Sequence, residues 1–296
     1  MAAPHDRRVL IAFLAVVVLG GTNLVLVVEV TRQLDPLWGA ALRFLGAALL
    51  TLLAVGIFRA RLPRGRELAV SALYGVLAFT LSFGLFFWGT RRVPAGIASV
   101  IIGSVPLLTL LLAVLQRLER FRVRGVVGAV LAISGIAVIS AKPPSGTLPI
   151  LSLLALIGAA AAAAQAAITV RRIRVAEPLP VNAVGMAVGS VLLLMGAVVT
   201  GESLKAPSSV GVGLALAVMI VTSPLLFVLY VFVVQRWSAS AAAYQLVLFP
   251  LVSIPLSALL LDERISASLL LGGPLVLLGV WVGALAPDRS PLVAAD

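Results

Sequence analysis

The sequence predicts an all-α membrane protein of ten transmembrane helices, arranged as two inverted five-helix repeats. Three observations predict it. Hydrophobic residues make up 61% of the 296 positions and charged ones only 11%, against roughly a quarter charged in soluble domains, and the mean hydropathy is +1.18. The apolar residues gather into ten long stretches with short connections, at 8–30, 37–58, 67–90, 95–116, 123–141, 149–170, 181–200, 208–235, 238–261 and 267–286. The chain also repeats itself at an offset of 144 residues: Pro36 recurs as Pro180, Pro106 as Pro250, Glu119-Arg120 as Glu263-Arg264, Gly128 as Gly272 and Gly135 as Gly279.

Each stretch is near the length of about 20 residues that crosses a hydrocarbon core. Backbone groups facing lipid must be satisfied within their own segment, which selects helices. No stretch shows the alternation of a membrane barrel strand. An odd number of spans per copy makes the second copy enter the bilayer from the opposite side, so the halves, 1–142 and 143–296, form an inverted pair. In secondary transporters such pairs place the solute site near the midplane, between the repeats.

Charge sets the orientation and excludes several functions. Of the 22 Lys and Arg, 15 fall on the side of the N-terminus, 6 on the other and Arg43 inside a span. That bias predicts both termini in the cytoplasm of a bacterial inner membrane. The net charge of +11 therefore reads as topology, not as a nucleic-acid surface. The first stretch follows Arg7-Arg8 like a signal peptide, but its length and the nine further spans favour an uncleaved helix. With no Cys and one His, His5 in the polar tail, no thiolate, no Cys- or His-based metal site and no histidine acid/base chemistry is available in the membrane. The chain is expected to use no cofactor or metal and not to be an enzyme.

The first span centres on Gly20-Gly21-Thr22-Asn23. A polar residue at bilayer depth is costly without partners and marks a candidate substrate contact. Glu29 near its end and Arg43 inside the second span are expected to meet as an ion pair across a short loop. The third span carries Tyr74, Phe79, Phe83 and Phe87 for lining or packing, with Trp88 at the interface. In the fourth, Ser99, Gly103 and Pro106 form a small, weakly polar stripe, and Pro106 frees the carbonyl of Ile102. The fifth carries Gly128 and Gly135. The sixth has little bulk over 159–164, which predicts a central, tightly packed helix, and bears Gln165. Gly185 and Gly189 in the seventh, with Gly39, Gly46, Gly279 and Gly283 elsewhere, predict close helix approach. The eighth contains Pro224 and Tyr230. The ninth contains Tyr244-Gln245 and Pro250, whose ring frees the carbonyl of Leu246. Asn23, Gln165, Tyr74, Phe79, Tyr230, Tyr244 and Gln245 are the candidate cavity residues, and Pro106, Pro250 and Pro224 the candidate hinges.

The chain resembles the EamA-type members of the drug/metabolite transporter superfamily over nearly its full length. The resemblance rests on Pro36 with Arg43, on Arg92-Val93-Pro94-Ala95-Gly96-Ile97-Ala98, Pro106, Glu119-Arg120 and Gly128 with Gly135-Ile136. Its second copy rests on Ser238-Ala239-Ser240-Ala241-Ala242, Pro250, Leu261-Asp262-Glu263-Arg264 and Gly272 with Gly279-Val280. It implies ten helices, a central cavity shared by the halves and export from the cytoplasm; one branch exports aromatic amino acids. Two departures stand out: Leu19 occupies a place where many relatives have Trp, and Ala187 is the counterpart of Arg43.

These readings together predict a carrier that exports small amphipathic metabolites, favouring neutral or aromatic amino acids, by alternating access. Its partners are then the small-molecule solute and the lipid bilayer, with no nucleic acid; monomer and homodimer both stay open. The alternative is a drug or organic-cation exporter, which needs an embedded carboxylate that only Glu29 approaches. Without one in any span's central turns, a facilitator or weakly coupled exchanger fits better than a proton-driven pump.

Overall fold

Helices begin where the sequence supplies a cap or a proline. In the computed structural model, which describes residues 6–90, 92–93, 95–139, 149–173, 177–261 and 267–285, the first helix, α1 (Arg7–Thr31), starts at Asp6. The Asp6 carboxylate accepts the Arg8 N–H at 3.0 Å, satisfying one of the free N–H groups of the first turn. Helices α2 (Pro36–Ile57) and α7 (Pro178–Val199) start on a proline, whose missing N–H costs nothing there. Ser209 caps α8 (Val210–Arg236), accepting the Val212 N–H at 3.3 Å.

The remaining rods are α3 (Arg66–Thr90), α5 (Val123–Ile139), α6 (Ile150–Arg171) and α9 (Ala239–Leu261). Two are composite: α4 consists of Ala95–Gly103 and Val105–Leu115, and α10 of Ala267–Val280 continued by Trp281–Leu285. No strand occurs among the described residues. Eight of the segments are long and apolar enough to cross a membrane, and α5 and α10 are shorter apolar helices. The 142–143 junction, Pro94 and the Asp262-Glu263-Arg264 turn lie outside the described residues.

Two rods depart from the expected uninterrupted helix. In α3, Val76–Ser82 is wound as a π-helix, an irregularity common at functional sites. Thr80 within it stands 144 residues before Pro224. Both third rods thus lose regular helical bonding at the same place, one through a widened turn and one through proline. In α4 the helix breaks at Ser104, whose hydroxyl donates to the Ile101 carbonyl at 2.6 Å, and restarts with Pro106 in its first turn. Its counterpart Pro250 lies inside an unbroken α9, together with Pro255.

The rods pack across the two halves. Helix α1 lies against α8 and α9, α6 against α3 and α4, α2 against α7, and α5 against α10. Exchanging the halves maps this set of contacts onto itself. Small residues make the approaches possible. A Cβ on Gly75 would stand 2.3 Å from the carbonyl oxygen of Gly185 on α7, and one on Gly128 would stand 2.6 Å from Gly279 and Gly283 backbone atoms on α10. The alanine stretch of α6 is pressed inward as expected, with Ala159, Ala160 and Ala164 fully buried. Leu49, Leu53, Leu115 and Val199 point outward, where lipid replaces water as solvent.

Candidate functional site

Halfway along α8 runs Thr222-Ser223-Pro224. Proline leaves the Ile220 carbonyl without its helical partner, and the two preceding hydroxyls turn back on their own helix. Thr222 Oγ1 donates to the Val218 carbonyl at 2.8 Å and Ser223 Oγ to that of Met219 at 2.5 Å. With their hydrogens so used, both oxygens accept from the other half of the chain. Asn23 Nδ2 donates to Thr222 Oγ1 at 3.1 Å and to the Leu19 carbonyl at 2.8 Å, while its buried Oδ1 has no partner among the described residues. Arg43 Nε donates to Ser223 Oγ at 2.8 Å.

Arg43 is 4% exposed, about 10 Å down α2 from Pro36 at 1.5 Å per residue. An arginine at such depth costs roughly 2.5–3.5 kcal/mol in a lone membrane helix. Here its guanidinium lies 4.9 Å from the centre of the Phe44 ring and 5.8 Å from that of Phe83, and the ring faces recover part of that cost. The expected ion pair with Glu29 is absent: Glu29 instead accepts from Arg32 at 2.6 Å. Arg32 lies one turn along the same helix end, whereas Arg43 sits on the buried face of α2 beside Gly39, Ala40 and Ala47.

Below Arg43 the rings form a dense plug. Phe44 meets Phe79 at 4.8 Å and Phe83 at 5.0 Å between centroids, Phe79 meets Phe227 at 4.8 Å, and Tyr74 meets Phe79 edge-on at 5.5 Å. These are the tilted geometries that aromatic quadrupoles prefer. Asn182 at the start of α7 ties the plug to α8, donating to the Phe227 carbonyl at 3.1 Å.

Two cavities flank this centre. One is a narrow cleft lined by Val27, Val30, Gly39, Ala40, Arg43, Phe44, Phe83, Phe87 and Met219, with about 10 Å³ of space, room for roughly one water. The other, of about 460 Å³, opens at the arginine-rich end between Arg8, Ile11 and Ala15 of α1, Glu177 and Leu179, and Val228, Leu229 and Phe232 of α8. Phe232 in its wall follows the plug residue Phe227 by little more than one turn of α8.

The two ends of the bundle differ. At the arginine-poor end the 32–35 and 200–209 loops are stapled together. The Gln33 side chain bonds Ser208 and Ser209, the Asp35 carboxylate accepts the Ser203 N–H, and Trp38 donates to Glu202 and to the Lys205 carbonyl. At the opposite end Arg171 caps the end of α8 by donating to the Val234 carbonyl at 2.8 Å and to that of Gln235. The Glu119 carboxylate accepts both the N–H and the hydroxyl of Ser240 in the first turn of α9, where a negative group is favoured.

The seven expected cavity residues do not converge, and none lines either cavity. Asn23 belongs to the α8 cluster, and Tyr74 and Phe79 to the plug. Gln165 accepts from Gln116 at 2.7 Å near the arginine-rich end. Tyr230 packs beside Ala113, Ala167 and Ile168. Tyr244 donates to the Gly125 carbonyl at 2.8 Å and packs on Gly283, at the junction of α5 and α10. Gln245 is fully buried, and among the described residues neither amide atom has a hydrogen-bond partner. Sequence reasoning passed over Thr222, Ser223, Asn182 and Phe227. The one signal that could have found the first two is a pair of hydroxyls directly before a helix-interior proline.

No curated protein matches the chain. Among solved structures 29 chains match. One crystal structure superposes with a TM-score of 0.77 at 20% identity, covering 94% of this chain and 97% of that one, which speaks for the fold alone. The profile of the EamA-like transporter family matches twice, at residues 7–141 and again at 150–284. Ten apolar rods whose contacts map onto themselves between halves, and a family profile that fits each half in turn, place the chain in the EamA-like transporter family of the drug/metabolite transporter superfamily.

Proposed function

We propose that this multi-pass membrane transporter exports small amphipathic metabolites, with neutral or aromatic amino acids as its cargo. It works by alternating access between two inverted five-helix halves, 1–142 and 143–296. The observation that carries the reading is the meeting of Asn23 and Arg43 from the first half with Thr222 and Ser223 from the second, halfway along α8 and against a wall of phenylalanines. A few hydrogen-bonding groups set in an aromatic lining suit a solute with one polar and one apolar end. Pro224, with Pro106 and Pro250, supplies the bending points. The arginine distribution supports a bacterial inner membrane with both termini in the cytoplasm, so that the 460 Å³ cavity faces the cytoplasm and the stapled loops close the far side.

An organic-cation exporter is the weaker reading, because no carboxylate lies midway along a helix among the described residues. Counterflow of labelled amino acids into proteoliposomes, with and without an imposed pH gradient, tests the proposal. Uptake of an amino acid indifferent to the gradient is expected. Absence of uptake for every amino acid, with folded protein, would overturn it.

Gln245 offers a separate check. A buried amide without partners costs about 1–3 kcal/mol, so Gln245→Leu is expected to raise the melting temperature in detergent. Transport should fall, because an amide held there against that cost is held for the solute. Unchanged flux at full expression removes Gln245 from the transport path.

A further inference from the structure

Arg43 is a buried cation whose charge is not neutralised among the described residues. Only its Nε is bonded, to Ser223, and neither terminal nitrogen has an acceptor there. The carboxylates at the same end of the bundle are used elsewhere: Glu29 by Arg32, Asp35 by the Ser203 N–H and Glu202 by the Trp38 N–H. Phe44 and Phe83 offer their rings, which attract a cation without neutralising it. The terminal nitrogens are not sealed off, since they keep some accessible surface, and Arg43 lines the narrow cleft. That cleft runs from Thr31 and Pro36 along Gly39 and Ala40, over the first two turns of α2, where the helix dipole is positive. No acidic residue lines it, and its space of about 10 Å³ admits one particle the size of a water molecule.

We infer that the cleft is a binding site for a monatomic anion, chloride under ordinary conditions, which supplies the counter-charge to Arg43. Two requirements select that ligand. It must be negative, because a buried guanidinium left unpaired is the costly case. It must also be close to a water molecule in size, because Val30, Phe83, Phe87 and Met219 close the cleft around Arg43 and shut out a carboxylate or phosphate. A halide accepts from the terminal N–H groups while Nε stays on Ser223. The anion thereby holds α2 against α8 where the two halves meet, and chloride stabilises the packing described above. Ala187, the counterpart of Arg43 at +144, gives the second half no matching cation, so the duplication does not repeat the site. The assignment does not depend on which solute is carried.

The test is thermal unfolding of the full chain in detergent, with sodium chloride exchanged for sodium gluconate at a constant ionic strength of about 0.1 M. Chloride is expected to raise the melting temperature saturably, by about 3 °C or more at the top of the series. Bromide should act likewise, and formate, a small carboxylate, should do no better than gluconate. Arg43→Gln should abolish the chloride response. Ala40→Leu keeps the arginine but fills the cleft, and should weaken the apparent chloride affinity about fivefold or more. Crystals of the wild-type protein grown in bromide locate the ion without any variant, through an anomalous peak within about 3.5 Å of the Arg43 terminal nitrogens. No chloride response in wild type, a response that persists in folded Arg43→Gln, or bromide located only elsewhere overturns the site. A formate response without a halide response overturns the monatomic ligand and makes the cleft a carboxylate pocket. Amino-acid flux, present or absent, bears on the transport reading alone.

Discussion

Phe79→Ala is expected to cost about 3–5 kcal/mol of stability, the usual penalty for emptying a fully buried aromatic site. The ring is completely buried and touches Phe44, Phe227 and Tyr74, each from a different rod or turn. Its Cβ also rests on the glycine face of α7, where a Cβ on Gly189 would come within 2.4 Å of it. Collapse cannot refill the void easily, because the helices around it are already held by backbone contact at Gly75 and Gly185. Thermal unfolding in detergent should show a large drop in melting temperature. A change below about 1 kcal/mol would mean that the plug is loosely packed and that its rings move independently. Phe79→Leu, which restores most of the volume, should recover the greater part of the loss.

Gly75→Leu should be comparably severe for the opposite reason. Adding even one carbon there places it 2.3 Å from the Gly185 carbonyl oxygen and 2.7 Å from the Gly185 Cα. The obstacle is backbone, so no rotamer change relieves it. Overpacking of this kind typically costs 1–3 kcal/mol and occasionally more; about 3 kcal/mol is expected, since α3 and α7 must separate. Gly56→Leu is the control, because a side chain there meets nothing within 4 Å. Expression and monodispersity on size exclusion should fall sharply for Gly75→Leu and hold for Gly56→Leu. Equal behaviour of the two would show that α3 and α7 do not approach as described.

The rods themselves were legible because lipid imposes a length and a hydrogen-bonding rule that composition alone reports. The apolar stretches 8–30 and 181–200 lie within α1, Arg7–Thr31, and against α7, Pro178–Val199, to within a few residues. The break at Ser104 and the π-turn around Thr80 were not, since both depend on how a neighbour packs. Pro106 signals a weakened helix, but its twin Pro250 stays inside an intact one. For Thr80 the clue was present in the duplication, where its counterpart is a proline.

Pairing of polar groups followed the same division. Glu29 and Arg43 are close along the chain and opposite in charge, which made an ion pair the natural expectation. Arg43 turns inward to Ser223, 180 residues away, because the buried face of α2 is set by its contact with α7 and α8 and not by the loop that joins it to α1. Asn23 was recognisable as a costly polar residue at mid-helix, yet nothing local names Thr222, 199 positions on, as its partner. Composition, spacing and the 144-residue echo determined by themselves the ten rods and the duplication, since each reflects a constraint acting along the chain: the thickness of the bilayer, the satisfaction of the backbone, the retention of a repeat. Which side chains share the space between the halves was decided only by the tertiary structure, because helix rotation and cross-half packing bring together residues that the sequence keeps far apart.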